Sequence, residues 1–135
     1  VTRQLNSVLW SKQIHKHTKI RIYKTIIESI STYASEVWVV NNNMKKRLKA
    51  MEMNYWRRCC SLTLADRVRN EEIRRRMGIG TTVVDTVGAK NLRWYGHVKR
   101  MNDDRWPKKM LEWLPKHKRK RGRPRKTSGQ KKWRR

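Results

Sequence analysis

Phenylalanine is absent from this 135-residue chain, and it holds only 10 acidic residues, three prolines and two cysteines. Ten carboxylates cannot balance 36 lysines and arginines, so the net charge is +26 and the isoelectric point is near 11.3. A chain so charged associates with polyanions at low salt, and DNA, RNA and an anionic membrane surface compete for that place. Long apolar runs are missing too. None approaches the roughly 20 residues that span a bilayer, and no signal-peptide pattern opens the chain, which puts a membrane last of the three. Cys59 and Cys60 are neighbours, a spacing that rarely closes a disulfide without strain. They form no disulfide scaffold, and a reducing, intracellular location is expected. The length suits one domain plus a tail, or a piece of something larger, and a start at Val1 reads as lying inside an open reading frame.

The residue patterns of common active sites are equally scarce. His15, His17, His97 and His117 are scattered, and adjacent cysteines lack the spacing of a zinc hook. Asp103-Asp104 and Glu71-Glu72 are the acidic pairs. A polymerase needs carboxylates converging from separate strands on two divalent ions, whereas Asp103-Asp104 reads as a turn before a helix, suited to capping and to the helix dipole. No Ser/His/Asp set, phosphate loop or dinucleotide fingerprint is present. The sequence therefore leads us to expect no catalytic centre, no metal, no cofactor and no small-molecule substrate.

What is present is helical periodicity, from Thr2 to about Leu114. Ile20, Tyr23, Ile26, Ile27 and Ile30 recur at spacings of three and four, opposite Lys19, Arg21, Lys24 and Glu28. Asn41-Asn42-Asn43 signals a turn, and one of them is expected to cap the next helix. There Met44, Leu48, Met51, Tyr55, Cys59 and Leu62 form an apolar stripe. A shorter basic helix over Val68 to Met77 is stopped by Gly78 and Gly80. Thr81 or Thr82 caps a further helix along Val84, Val87, Asn91, Trp94, Val98 and Met101, and Pro107 opens a last one. The pattern predicts a mainly α fold of five to seven short helices with a thin core, followed by a disordered basic tail. Its divisions fall at residues 1–65, 66–115 and 116–135.

The tail is the most charged part: 12 of the 20 residues from Lys116 to Arg135 are basic and none is acidic. Within it Arg121-Gly122-Arg123-Pro124-Arg125-Lys126 resembles an AT-hook. Pro124 biases the backbone toward an extended form and Gly122 removes bulk, so flanking arginines can follow a narrow minor groove. The plainer reading is a localisation signal or generic polyanion binder. Of the seven tryptophans, Trp38, Trp56 and Trp94 are expected as core anchors. Trp133 has no core to join and is the candidate for stacking on bases.

The order of these landmarks resembles a known family. The segments KIRIYKTIIESISTYASEVW (Lys19 to Trp38), MKKRLKAMEMNYWRRCC (Met44 to Cys60), NEEIRRRMGI (Asn70 to Ile79), LRWYGHVKRMNDDRWPKKML (Leu92 to Leu111) and RGRPRK (Arg121 to Lys126) are similar to the region after the polymerase palm in non-LTR retrotransposon endonuclease-reverse transcriptases of the RTE-like group. The resemblance implies a helical thumb that grips template–primer duplex, followed by a basic region that holds RNA or target DNA. The family's polymerase and endonuclease residues lie upstream of this region. Relatives commonly carry a proline shortly before Tyr33 and a glycine after it, where this chain has Ser31 and Ala34.

The expectation is thus a nucleic-acid-binding fragment, nuclear in location, with DNA or RNA and the missing palm as partners. Lys45, Lys46, Arg47, Arg57, Arg58, Arg74, Arg75, Arg76, Lys99 and Arg100 would meet phosphates from the helical body, with Arg121, Arg123 and Arg125 contacting nucleic acid from the tail. The rival readings are a domesticated chromatin protein acting through the AT-hook-like tail, a fragment with polymerase activity of its own, and a decayed copy without function.

Overall fold

The computed structural model describes residues 4–113, which form six helices and no strand. The first, α1 (Asn6–Trp10), buries Leu9 completely. The second, α2, runs over residues 16–31: an α-helical start at Lys16–Ile22, a π-helical stretch at Tyr23–Glu28 and a last α-helical turn at Ser29–Ser31. A 3₁₀ turn at Ser35–Val37 leads into α3 (Asn42–Cys59), followed by α4 (Asn70–Met77), α5 (Val83–Lys99) and α6 (Trp106–Glu112).

The ends of these helices are set by local chemistry. Asn41 caps α3, its side-chain oxygen accepting from the Met44 N–H at 2.8 Å. Thr82 caps α5 in a full capping box: its hydroxyl accepts from the Asp85 N–H, while the Asp85 carboxylate accepts from the Thr82 N–H at 2.9 Å. Gly78 stops α4 at φ +69, a conformation open to glycine without strain, and Ile79 N–H returns to the Arg74 carbonyl in a Schellman closure. The same closure ends α3, with Ser61 left-handed and Leu62 N–H on the Arg57 carbonyl. Leu62 is therefore outside the helix to which its periodicity assigned it, yet it still packs against the core. Val68 likewise precedes its helix. Ala34 sits at φ 51, a position that costs a β-carbon about 1–2 kcal/mol.

The stripe expected along α2 holds in part: Tyr23 and Ile27 are buried and Ile20 packs against the core. Ile26 and Ile30 face solvent, 38% and 59% exposed, whereas Lys19 is buried. Lys19, Tyr23, Ile27 and Thr32 are the inward positions, at spacings of four, four and five. That rhythm belongs to a π-helix rather than to 3.6 residues per turn, and the wider turn rotates the later isoleucines outward. Trp94 also departs from expectation: it is 39% exposed and lies against His97, while Trp56 is the fully buried anchor.

The core is an aromatic trio, Tyr23, Tyr55 and Trp56, with ring centroids 4.4–5.0 Å apart. Leu9, Ile27, Met53, Cys59, Ile73 and Met77 close around it, so helices on both sides of residue 65 share one apolar cluster. Lys19 locks the cluster. Its ammonium donates to the Leu9 carbonyl at 2.7 Å and the Cys59 carbonyl at 3.1 Å, while the Tyr55 hydroxyl donates to the Lys19 carbonyl at 2.8 Å. Burial pushes the neighbouring Cys59 thiol up to about 12, so it behaves as an inert apolar group. On the far side of α2, Glu28 accepts from the Thr86 hydroxyl and Lys90 donates to Thr32, tying α2 to α5.

Replacing the lysine by an apolar side chain of similar length, Lys19→Met, leaves two buried carbonyls unpaired. We expect a loss of about 2–4 kcal/mol in urea unfolding. A second outcome concerns acid. Hydrogen bonds from the Thr82 N–H and hydroxyl hold the Asp85 carboxyl below its usual range, helped by the fields of Lys49 and Arg74. With its folded pKa below the unfolded one, its stabilisation is whole above about pH 4 and is lost as the pH falls through the lower, folded value. The stability gap between the wild type and Asp85→Asn should therefore be widest at neutral pH and close below about pH 4 in urea titrations.

Candidate nucleic-acid interface

Helix α3 carries six basic residues, Lys45, Lys46, Arg47, Lys49, Arg57 and Arg58, against one acid, Glu52. That acid faces inward. Glu52 is 1% exposed, and its carboxylate accepts from Arg74 at 3.3 Å and from the Val83 N–H at 3.3 Å. Burial raises its pKa and Arg74 opposes the rise; the Trp56 indole, which lacks a hydrogen bond of good geometry, lies near enough to oppose it as well. Spacing explains the placement: Glu52, Tyr55, Trp56 and Cys59 fall at i, i+3, i+4 and i+7, one helical face. The outward side of α3 is left with positive charge alone.

The ten body residues anticipated as phosphate contacts sort into two kinds. Lys46, Arg47 and Arg100 are exposed and enter no ion pair among the described residues. Lys45 is half-buried and lines a groove of about 400 Å³ with Val40, Asp85, Gly88 and Leu92. The remaining six are engaged in holding the fold. Arg57 donates to the Val68 carbonyl at 3.0 Å and to the Asn70 side chain at 2.6 Å, bridging the connection from α3 to α4. Arg58 reaches Asn6 at 2.8 Å. Arg74 pairs with the buried Glu52, and Lys99 pairs with Glu112 at 2.6 Å, fastening α6 to α5. Arg75 and Arg76 share Glu72, whose carboxyl they hold below its usual range, although Arg75 remains 81% exposed.

Two exposed cations next to this set were left out of the expected phosphate contacts. Lys16 reaches the Arg76 carbonyl at 3.3 Å, which places it beside the α4 arginines, and Lys49 lies close enough to Asp85 to lower its pKa. Lys16 had no periodic signal, since it opens a helix and its neighbour in space is 60 residues away. Asp103 pairs with Lys108, and the turn it occupies leads into α6 with Pro107 in the first turn. Among the described residues no group of three or more His, Cys, Asp or Glu is placed to hold a metal ion. No described helix is long and apolar enough to cross a membrane. The tail positions Arg121, Gly122, Arg123, Pro124, Arg125, Lys126 and Trp133 lie outside the described residues.

The division between tethering and free cations is open to measurement. Arg74→Ala strands a buried carboxylate and should cost about 3–5 kcal/mol, whereas Arg47→Ala should stay within about 0.5 kcal/mol of wild type. Thermal or urea unfolding of the two variants separates the cases.

No family model and no solved structure matches the chain. Over 103 residues it is 30% identical to an uncharacterized transposon-derived protein of Caenorhabditis elegans, an alignment covering 74% of this chain and 37% of that protein. The chain thus corresponds to well under half the length of that relative. The similarity points to a transposon-related origin for this sequence.

Proposed function

We propose that this chain is the nucleic-acid-gripping part of a retroelement reverse transcriptase: a thumb-like helical unit with a basic extension and no catalytic centre of its own. It holds template–primer or target DNA through phosphate contacts and works in the nucleus beside a palm domain that supplies the chemistry. The observation that carries this reading is the one-signed outer surface of α3, left positive because its sole carboxylate is buried in the core. The transposon-derived relative agrees with a retroelement source. Lys46 and Arg47 are the first choices for phosphate contact, with Arg75, Arg76 and Arg100 as further candidates. Contacts of this kind give affinity without sequence choice.

Counterion release makes such binding steeply salt-dependent, with roughly 0.9 units of log–log slope per phosphate neutralised on B-form DNA. The double variant Lys46→Ala/Arg47→Ala should lower that slope by about two and weaken every duplex alike. Fluorescence anisotropy with labelled duplexes over a salt series provides the measurement. A flat response in the wild type overturns the proposal.

A further inference from the structure

Helix α6 turns most of its apolar surface to solvent. Toward α5 and the turn after it lie the half-buried Leu111, Lys108, which donates to the Met101 carbonyl and pairs with Asp103, and Glu112, which pairs with Lys99. The solvent side of the helix carries Trp106 and Met110, and Trp113 follows at the C-cap; the three are 76%, 66% and 64% exposed. At about 100° per residue these three fall within one narrow arc, and Lys109 borders it. The Lys109 ammonium stands 5.8 Å from the centroid of the Trp106 ring, and Arg105, also exposed, precedes the helix. Neither cation enters an ion pair among the described residues: Asp103 and Glu112 pair with Lys108 and Lys99, and the exposed Asp104 beside Arg105 pairs with neither.

We infer that this face binds single-stranded nucleic acid, with unpaired bases stacking on Trp106 and Trp113 while Arg105 and Lys109 meet the adjoining phosphates. The inference rests on the proposed nucleic-acid function and assigns a strand type and two stacking residues to it. Charge complementarity selects the occupant. A polynucleotide strand offers flat π-faces to two indoles and anions to two cations within one short stretch. An acidic peptide would satisfy the cations but leaves the rings without a matching surface. A lipid bilayer calls for a longer apolar face than three side chains on a seven-residue helix and its C-cap. Single strands are favoured over duplex because the bases of a duplex are already stacked on one another.

The test uses the full chain, a labelled oligothymidylate and a duplex of matched length, read by anisotropy. Trp106→Ala/Trp113→Ala should weaken oligothymidylate binding about tenfold or more, and Trp106→Tyr/Trp113→Tyr should restore it to within about threefold. Duplex affinity and the salt slope should be unchanged in both variants, because no charge is removed. Circular dichroism melts should coincide with wild type, since both side chains point to solvent. An equal loss on duplex, or no loss on the single strand, overturns the assignment. So does an equal sensitivity of binding to phosphatidylserine vesicles, which would give the face to lipid. A wild-type chain that binds neither oligonucleotide defeats the broader proposal instead, so the two failures are told apart.

Discussion

The fold depends on one ammonium group. Two helices, α1 and α3, bring their C-terminal ends to the same place, and each end presents carbonyl oxygens with a partial negative charge. Without a counter-group they would repel one another and go unsatisfied in a buried setting. The Nζ of Lys19 lies between them and bonds to both, while its own carbonyl anchors the Tyr55 hydroxyl. Three helices are thereby fixed at a point, and the aromatic trio packs next to it. A core of about a dozen buried apolar side chains is small for such a charged chain, so a polar lock of this kind contributes an unusual share of its specificity.

A second constraint is the division of charge between inside and outside. Seven of the ten acidic residues (Glu28, Glu52, Asp66, Glu72, Asp85, Asp103 and Glu112) cap helices, close turns, bind cations of the same chain or, for Glu28, accept from a hydroxyl on a neighbouring helix. The scarce anions are used for internal order, and the plentiful cations populate the surface. Stability and polyanion attraction thus draw on largely separate sets of residues, with Arg57, Arg75 and Arg76 at the boundary.

Much of the architecture was legible in the sequence. The caps at Asn41 and Thr82 and the stop at Gly78 arise from residue types whose local hydrogen bonding or backbone freedom suits those positions. The outward turn of Ile26 and Ile30 was not legible, because periodicity presumes 3.6 residues per turn and the π-helical stretch breaks that rule without any unusual residue. Lys19 was read as solvent-facing because it is charged, although it lies four residues before Tyr23 on the same helical face. In the candidate interface, the basic residues of α3 were plain from composition, but their separation into tethers and free cations was not. Arg57, Arg58 and Arg74 find partners 11, 52 and 22 residues away, distances over which a linear pattern carries no information. The inward turn of Glu52 was readable in principle, since it shares a helical face with Tyr55 and Trp56.

Arg57 is a cation with two claims on it. Its guanidinium spans the ten-residue connection between α3 and α4 like a strap, fastened to a carbonyl at one point and an amide side chain at another. Both fastenings are neutral and partly open to water, so an arriving phosphate is the stronger acceptor and competes for the same hydrogens. Recruiting this arginine to a ligand would therefore undo the strap and loosen the connection, making the grip tighter at the cost of a slacker hinge.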